Sequence, residues 1–286
     1  MQKTEYVDIT PHRSVFLKLG QAGYNLGEAL AELIDNSIDA SIPDKKLIVK
    51  IMISKTRIQV DDNGKGMPKS VASQLLRLGY TTKDNEKKLG KFGLGLKTSC
   101  LSLGSHFEVK TAQKNEEYSI IFDEERWTNE GDWQKFPLHI NLSRKESHTS
   151  ITITKLLINI EKNDVEKVIN DINSRFGPFI ESDSVEIVVN NKECKAKPPQ
   201  LTSEGKKAFT LKLLDGNTIK GWFGFKLAGG VKEWYGFNTF RQGRLITVHD
   251  KIGLSRDPKA RQIVGEIYMD HVPVSHNKRQ DRKSVV

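Results

Sequence analysis

Apolar positions recur along this chain with two periods, one helical and one extended. Over Leu26–Ala40 the spacing is helical: at about 100° per residue, Leu26, Leu30, Leu33, Ile34 and Ile38 cover most of the circumference. Glu28, Glu32, Asp35, Asn36 and Asp39 gather in one narrow stripe. Ser41-Ile-Pro43 ends this helix, because proline cannot continue it. Leu47–Ile53 and Arg57–Val60 are rich in β-branched residues and separated by Ser-Lys-Thr, which predicts an antiparallel hairpin. A short helix is expected over Ser14–Leu19, another ending near Leu78, and a buried one carrying Leu96, Cys100, Leu101 and Leu103. Strands over Phe107–Thr111, Tyr118–Phe122, Phe136–Asn141 and Ser150–Thr154 complete a first region of helices on a mostly antiparallel sheet, with solvated acidic loops at 123–125 and 130–132.

The second half opens with an amphipathic helix, Asp164–Phe176, whose apolar side is Val165, Val168, Ile169, Ile172 and Phe176. Strands follow at Val185–Val189, Phe209–Leu213, Ile219–Phe225 and Val264–Met269. The fold class is therefore α+β, in two domains divided between residues 160 and 161.

Composition narrows the class of protein. The chain has 286 residues, 37% of them hydrophobic and 28% charged, as in soluble globular proteins. No apolar run approaches membrane-spanning length and the first ten residues lack the apolar core of a signal peptide, so a cytoplasmic location, or a nuclear one in a eukaryote, is expected and secretion is not. Cys100 and Cys194 fit no metal-ligand spacing and read as reduced buried thiols. A net charge of +9 is compatible with a nucleic-acid partner, although scattered lysines give the same total.

The candidate chemistry lies in three stretches. The polar stripe of the first long helix holds four carboxylates and one amide with no Lys or Arg among them, so positive charge must come from solvent, from elsewhere in the chain or from a metal ion. Mg²⁺ carrying phosphates would suit an amide oxygen beside carboxylates. After the hairpin comes Asp61-Asp62-Asn63-Gly64-Lys65-Gly66-Met67, where two glycines allow a sharp turn against a flat ligand and a carboxylate can accept from an exocyclic amine. The third stretch, Gly90-Lys-Phe-Gly93-Leu-Gly95-Leu-Lys97, follows a lysine-rich, aperiodic run that reads as a lid over Gly79–Leu89. Glycines opening a helix leave N–H groups for phosphate, and Lys91 and Lys97 add charge; the spacing is neither a P-loop nor a dinucleotide fingerprint.

Glu-Leu-Ile-Asp-Asn on a helix, Asp-Asp-Asn-Gly-Lys-Gly-Met after a strand and Gly-Lys-Phe-Gly-Leu-Gly-Leu-Lys before a helix together resemble the ATP-binding domain of the GHKL superfamily of gyrase, the large heat-shock chaperone, histidine kinases and MutL. The resemblance implies a Bergerat-type α/β sandwich over 1–160, with Glu32 as general base, Asn36 as Mg²⁺ ligand and Asp62 as acceptor of the adenine amine. It further implies that Ala40, Gly64, Gly66 and Met67 line the nucleotide, that Gly93, Leu94, Gly95, Leu96 and Lys97 with Lys91 cradle phosphate, and that Thr149 completes the adenine pocket. Thr81 and Thr82 match the small hydroxyl residues of family lids more loosely. In the second half, Gly236-Phe-Asn-Thr-Phe-Arg241-Gln-Gly-Arg244-Leu-Ile and Ser275-His-Asn-Lys278-Arg-Gln-Asp281 are similar to segments of the MORC ATPases, which implies a ribosomal-protein-like α/β transducer domain over 161–286. Lys278 resembles the transducer lysine that reaches the γ-phosphate, although here Arg279 stands between it and the Gln-Asp that follows directly in MORC proteins.

The expected activity is slow, Mg²⁺-dependent ATP hydrolysis that closes a lid, docks the second domain and drives homodimerisation, with output on double-stranded DNA through a basic surface and no membrane partner. A histidine kinase, a chaperone-like ATPase and a nucleotide-binding module without turnover are the rivals. No phosphoacceptor helix precedes the ATP motifs, and the glutamate favours water as nucleophile.

Overall fold

The computed structural model describes residues 12, 14–21, 23–80, 93–129, 135–143, 146–227, 235–251, 254 and 260–272. In chain order the first region contains α1 (Ser14–Gly20), α2 (Leu26–Asp39), β1 (Leu47–Ile53), β2 (Arg57–Asp62), α3 (Lys69–Ala72), α4 (Gly95–Leu103), β3 (Gly104–Gln113), β4 (Glu116–Asp123), α5 (Glu124–Asn129), β5 (His139–Leu142) and β6 (His148–Leu156). It continues through α6 (Asp164–Arg175), α7 (Gly177–Glu181), β7 (Val185–Val189) and β8 (Lys192–Glu193). All eight strands form one sheet in the order β5-β4-β3-β6-β2-β1-β7-β8. The pairing is antiparallel except where β7 lies parallel to β1, with Val49 opposite Ile187.

That parallel pair carries the first sheet past residue 160. The boundary expected after residue 160 would cut through the first sheet, whereas the two sheets divide between β8 and β9 (Lys207–Lys212). The second sheet contains β9, β10 (Thr218–Phe225), β11 (Gly236–Arg241), β12 (Arg244–Asp250) and β13 (Ile263–Tyr268), ordered β12-β11-β13-β10-β9. Among the described residues after Glu193 there is one 3-10 turn, Ala260–Gln262, and no α-helix. The sheet instead meets the first region through β12, which packs on α6.

Strand alternation builds the core. Leu47, Val49 and Ile51 of β1, Ile58 and Val60 of β2, Phe107 and Val109 of β3, Ile151 and Ile153 of β6, and Ile187 of β7 are all buried, one residue in two, on the face that the helices cover. Leu30, Leu33 and Ile34 of α2 are fully buried in the same core, each worth about 1.5–3 kcal/mol of transfer free energy. Phe16, Phe107, Phe122, Trp127 and Phe136 form an aromatic cluster that fastens α1 and α5 to this face.

Several boundaries differ from the sequence expectation for local reasons. The helix expected to end near Leu78 is only four residues long, and turns carry the chain onward from Ala72. The first acidic loop contains α5, held by Trp127, and the strand expected from Phe136 begins at His139 because Phe136 joins the aromatic cluster. Glu28 leaves the acidic stripe for the helix end: its Oε2 accepts from the Asn25 N–H at 3.2 Å while the Glu28 N–H donates to Asn25 Oδ1 at 2.9 Å, a capping box.

Candidate functional site

The inward face of the first sheet ends in a polar row. Alternation places Asp62 after Ile58 and Val60, Thr149 before Ile151 and Ile153, and Thr111 after Phe107 and Val109, and the register sets Asp62 opposite Thr149 and Thr149 opposite Thr111. Three buried oxygen-bearing side chains therefore stand side by side where the apolar core stops. Asp62 is fixed from two directions: Oδ2 accepts from Ser37 Oγ at 2.9 Å and Oδ1 accepts from the Gly64 N–H at 2.9 Å. Burial pushes its carboxyl above the ordinary aspartate range, and the hydrogen bonds from Gly64, Ser37 and the Thr149 backbone pull in the opposite direction. Thr111 Oγ1 accepts from the Met67 N–H at 2.8 Å and lies 3.3 Å from Thr149 Oγ1, which ties the glycine loop to the row.

The loop after β2 is closely packed. The Lys65 N–H donates to Ala40 O at 2.8 Å, and a Cβ at Gly64 would stand 2.7 Å from the same carbonyl. Gly66 has φ +64 with the Ala112 carbonyl directly where a side chain would begin, so both the conformation and the space demand glycine. Ala40, Gly64, Gly66, Met67, Asp62 and Thr149 are thus neighbours.

On the other side of α2 stands the start of α4. Glu32 and Asp35 are buried, at 6% and 0% exposure, and a Cβ at Gly95 would be 2.6 Å from Glu32 Oε2. Glycine is what lets the α4 backbone approach that carboxylate. Leu94, the residue before α4, makes no side-chain cap, so the first-turn N–H groups of Gly95, Leu96 and Lys97 form an anion-attracting end. Gly93, at φ +64, abuts the Tyr80 carbonyl. Lys97 is buried, donates to Gly93 O at 2.6 Å, and is pushed by burial to a pKa of about 8. Asn36 is half-buried on α2 beside Asp35.

The cation absent from the acidic stripe comes from the second sheet. Arg244, at the start of β12, brings Nε within 3.1 Å of Asp35 Oδ1 and an Nη within 3.9 Å of Glu32 Oε1, with its guanidinium 5.9 Å from the centre of the Phe176 ring. The Nε–Oδ1 approach is a contact of charges rather than an aligned hydrogen bond. Sequence reasoning missed Arg244 and Ser37 as site residues. The uncompensated carboxylates were the signal for a positive charge, and Arg244 stood in the MORC-like segment without a role at this site. Thr81, Thr82, Lys91, the greater part of the expected lid and Lys278 lie outside the described residues. The described residues contain no cluster of three or more His, Cys, Asp or Glu arranged to hold a metal ion. Both cysteines are free and buried, and burial pushes the Cys194 thiol up to about 12.

A helix carrying a buried glutamate, a carboxylate at the end of β2 and a glycine-opened helix start thus lie together on one face of the first sheet. Residues 24–156 match the model of the family described as histidine kinase-, DNA gyrase B- and HSP90-like ATPase, and this part of the chain is similar to the ATP-binding domains of that GHKL type. The particular relatives are plant proteins of Arabidopsis thaliana: Protein MICRORCHIDIA 1 is 36% identical over 85 residues, 27% of this chain and 13% of the relative. Protein MICRORCHIDIA 5 is 39% identical over 84 residues, 27% of this chain and 12% of the relative. Protein MICRORCHIDIA 3 is 36% identical over 85 residues, 27% of this chain and 14% of the relative. The matches thus span less than a sixth of each curated relative. No helix among the described residues is long and apolar enough to cross a membrane.

Proposed function

We propose that this chain binds ATP between the polar row and the start of α4 and hydrolyses it slowly, with Glu32 orienting the attacking water. The observation that carries the reading is the position of Glu32, whose Oε2 lies against Gly95 at the start of α4, the helix end whose first-turn N–H groups suit phosphate. Asp62 accepts from the adenine amine, supported by Ser37 and Gly64, and Thr149 and Thr111 close the same edge. Ala40, Gly64, Gly66 and Met67 wall the base, while Gly93, Leu94, Gly95, Leu96 and Lys97 hold the phosphates, with Lys91 contributing from outside the described residues.

The donor set fits Mg²⁺ as such sites hold it, by one or two protein oxygens together with phosphate and water rather than by an all-protein cage. Asn36 is the residue that would hold it. Bound there, the ion would neutralise charge developing on the phosphates. The ATP-driven part of the reading extends to closure of a lid, to homodimerisation and to Lys278 as sensor of the γ-phosphate. The relatives' names favour the MORC branch, and DNA as the target rests on the basic balance of Lys251–Val286, eight Lys or Arg against four Asp or Glu. Phosphate release from ATP and Mg²⁺ by the purified chain, measured with and without duplex DNA, tests both parts. Hydrolysis insensitive to DNA removes the clamp, and absence of both hydrolysis and nucleotide binding removes the whole reading.

Lys97 gives the site a pH dependence. A lysine that burial has brought to about 8 is mostly protonated at neutral pH and loses its charge over the next unit or two. Phosphate favours the protonated form, so ATP affinity is expected to fall as pH rises from 7 to 9.5, while Lys97→Arg, which stays charged, flattens the curve. Apo stability moves the other way. The unfolded chain binds the proton more tightly than the fold does, so stability rises with pH between about 8 and 10.5. Nucleotide titrations across that range, with an ATP affinity that does not change, would take Lys97 out of the cradle.

A further inference from the structure

We infer that Arg244 is a positioning residue for hydrolysis, through which the second sheet holds the general base in place; this rests on the reading of Glu32 as that base. The two oxygens of Glu32 face different neighbours. Oε2 lies against Gly95 at the end of α4, and Oε1 is 3.9 Å from an Arg244 Nη. Asp35, one turn along α2, takes the other side of the guanidinium at 3.1 Å. All three side chains are buried, so their charges meet with little screening by water or salt. A guanidinium fixed between two carboxylates leaves Glu32 little freedom to swing away from the α4 end, and loss of even a small part of that alignment is costly in rate.

Arg244 does not float free of the fold. It begins β12 directly after Gln242 and Gly243, both at positive φ in the turn from β11, and a Cβ at Gly243 would stand 2.7 Å from the Phe179 ring of α7. The β11–β12 turn is thereby seated on α7, and Arg244 enters the site from a hairpin whose place is set by packing. Arg241, at the other end of the turn, is turned elsewhere: its Nε donates to Val272 O at 3.1 Å. Of the two arginines of this short segment, Arg244 is the one that reaches the α2 carboxylates by the ion pairs described above. Any displacement of the second sheet relative to the first moves the guanidinium, and with it the base, without touching the groups assigned to adenine.

Three variants of the full chain test the assignment by ATP turnover, nucleotide affinity and thermal melting. Arg244→Met is expected to lower kcat about 10- to 100-fold with ADP affinity changed less than threefold. It also strands two buried carboxylates and can unfold the protein. The double variant Arg244→Met/Asp35→Asn removes the guanidinium together with the Asp35 charge and is expected to melt close to the unmodified protein while kcat stays low. If the double variant regains full turnover, Arg244 only balances charge and the inference is wrong. If it stays slow and also loses ADP affinity to the same degree, Arg244 is a general packing residue, and the inference is again wrong. Glu32→Ala in parallel separates the two readings. Full turnover in Glu32→Ala refutes the base itself, whereas an inactive Glu32→Ala beside a fully active double variant refutes the role of Arg244 alone.

Discussion

Glu32→Ala is expected to lower kcat for ATP by about 10²-fold or more while leaving ATP affinity nearly unchanged. A carboxylate that orients water contributes chiefly in the transition state. The structure adds a reason for clean separation. Glu32 meets α4 at Gly95, which has no side chain to collapse into the space that alanine leaves. The relevant measurement pairs single-turnover hydrolysis with equilibrium nucleotide binding. Equal losses in both would mean that Glu32 is part of the binding surface and that another group activates water.

Asp62→Asn should weaken nucleotide binding by about 1.5–3 kcal/mol, roughly 10- to 150-fold, since a charge-assisted acceptor for the adenine amine is exchanged for a neutral amide. The replacement is mild for the fold. Asparagine keeps an oxygen to accept from the Gly64 N–H, and its amide can donate to Ser37 Oγ, which is able to accept. Melting temperature should therefore hold while affinity falls, and GTP or another purine nucleotide without the 6-amine should bind the unmodified protein poorly. The raised pKa of Asp62 also predicts a direction with acid: ATP affinity declines on lowering pH earlier than an ordinary aspartate would cause. Normal ATP affinity in the asparagine variant, by isothermal titration, would remove Asp62 from the adenine contact.

Local pattern carried much of this architecture. The periodicity of α2, its stop before Pro43, the β1–β2 hairpin, the glycine loop after β2 and the apolar side of α6 were all legible, because each is encoded within one stretch of chain. Three kinds of feature were not. The addition of β7 beside β1 joins residues more than a hundred apart, and nothing in an alternating Val-Glu-Ile-Val-Val run says which edge it will take. α5 exists because Trp127 reaches an aromatic cluster drawn from four other elements and loops, not because its six residues have a helical period. A partner of the acidic stripe, facing Glu32 and Asp35, is Arg244, a residue of the other sheet. The stripe announced that a cation was wanted, and only the three-dimensional packing of β12 on α6 supplies it. Ser37 belongs with these, since a small hydroxyl inside a helix gives no sign that it will meet a carboxylate from β2.

The parallel seam between β1 and β7 also sets an order of events during synthesis. When the first 160 residues have left the ribosome, every residue of the family-matched segment is present, yet β1 still presents a bare edge of N–H and C=O groups with Val49 and Ile51 beside it, and the flank of α2 that α6 will cover stands uncovered. The sheet closes only when α6, α7 and the Val185–Val189 strand arrive, so the nascent chain passes through an interval in which an adhesive strand edge is open to other nascent chains. Slow codons or pauses between residues 160 and 193 would lengthen the interval in which that edge is open, and their cost would fall on aggregation rather than on the candidate site residues.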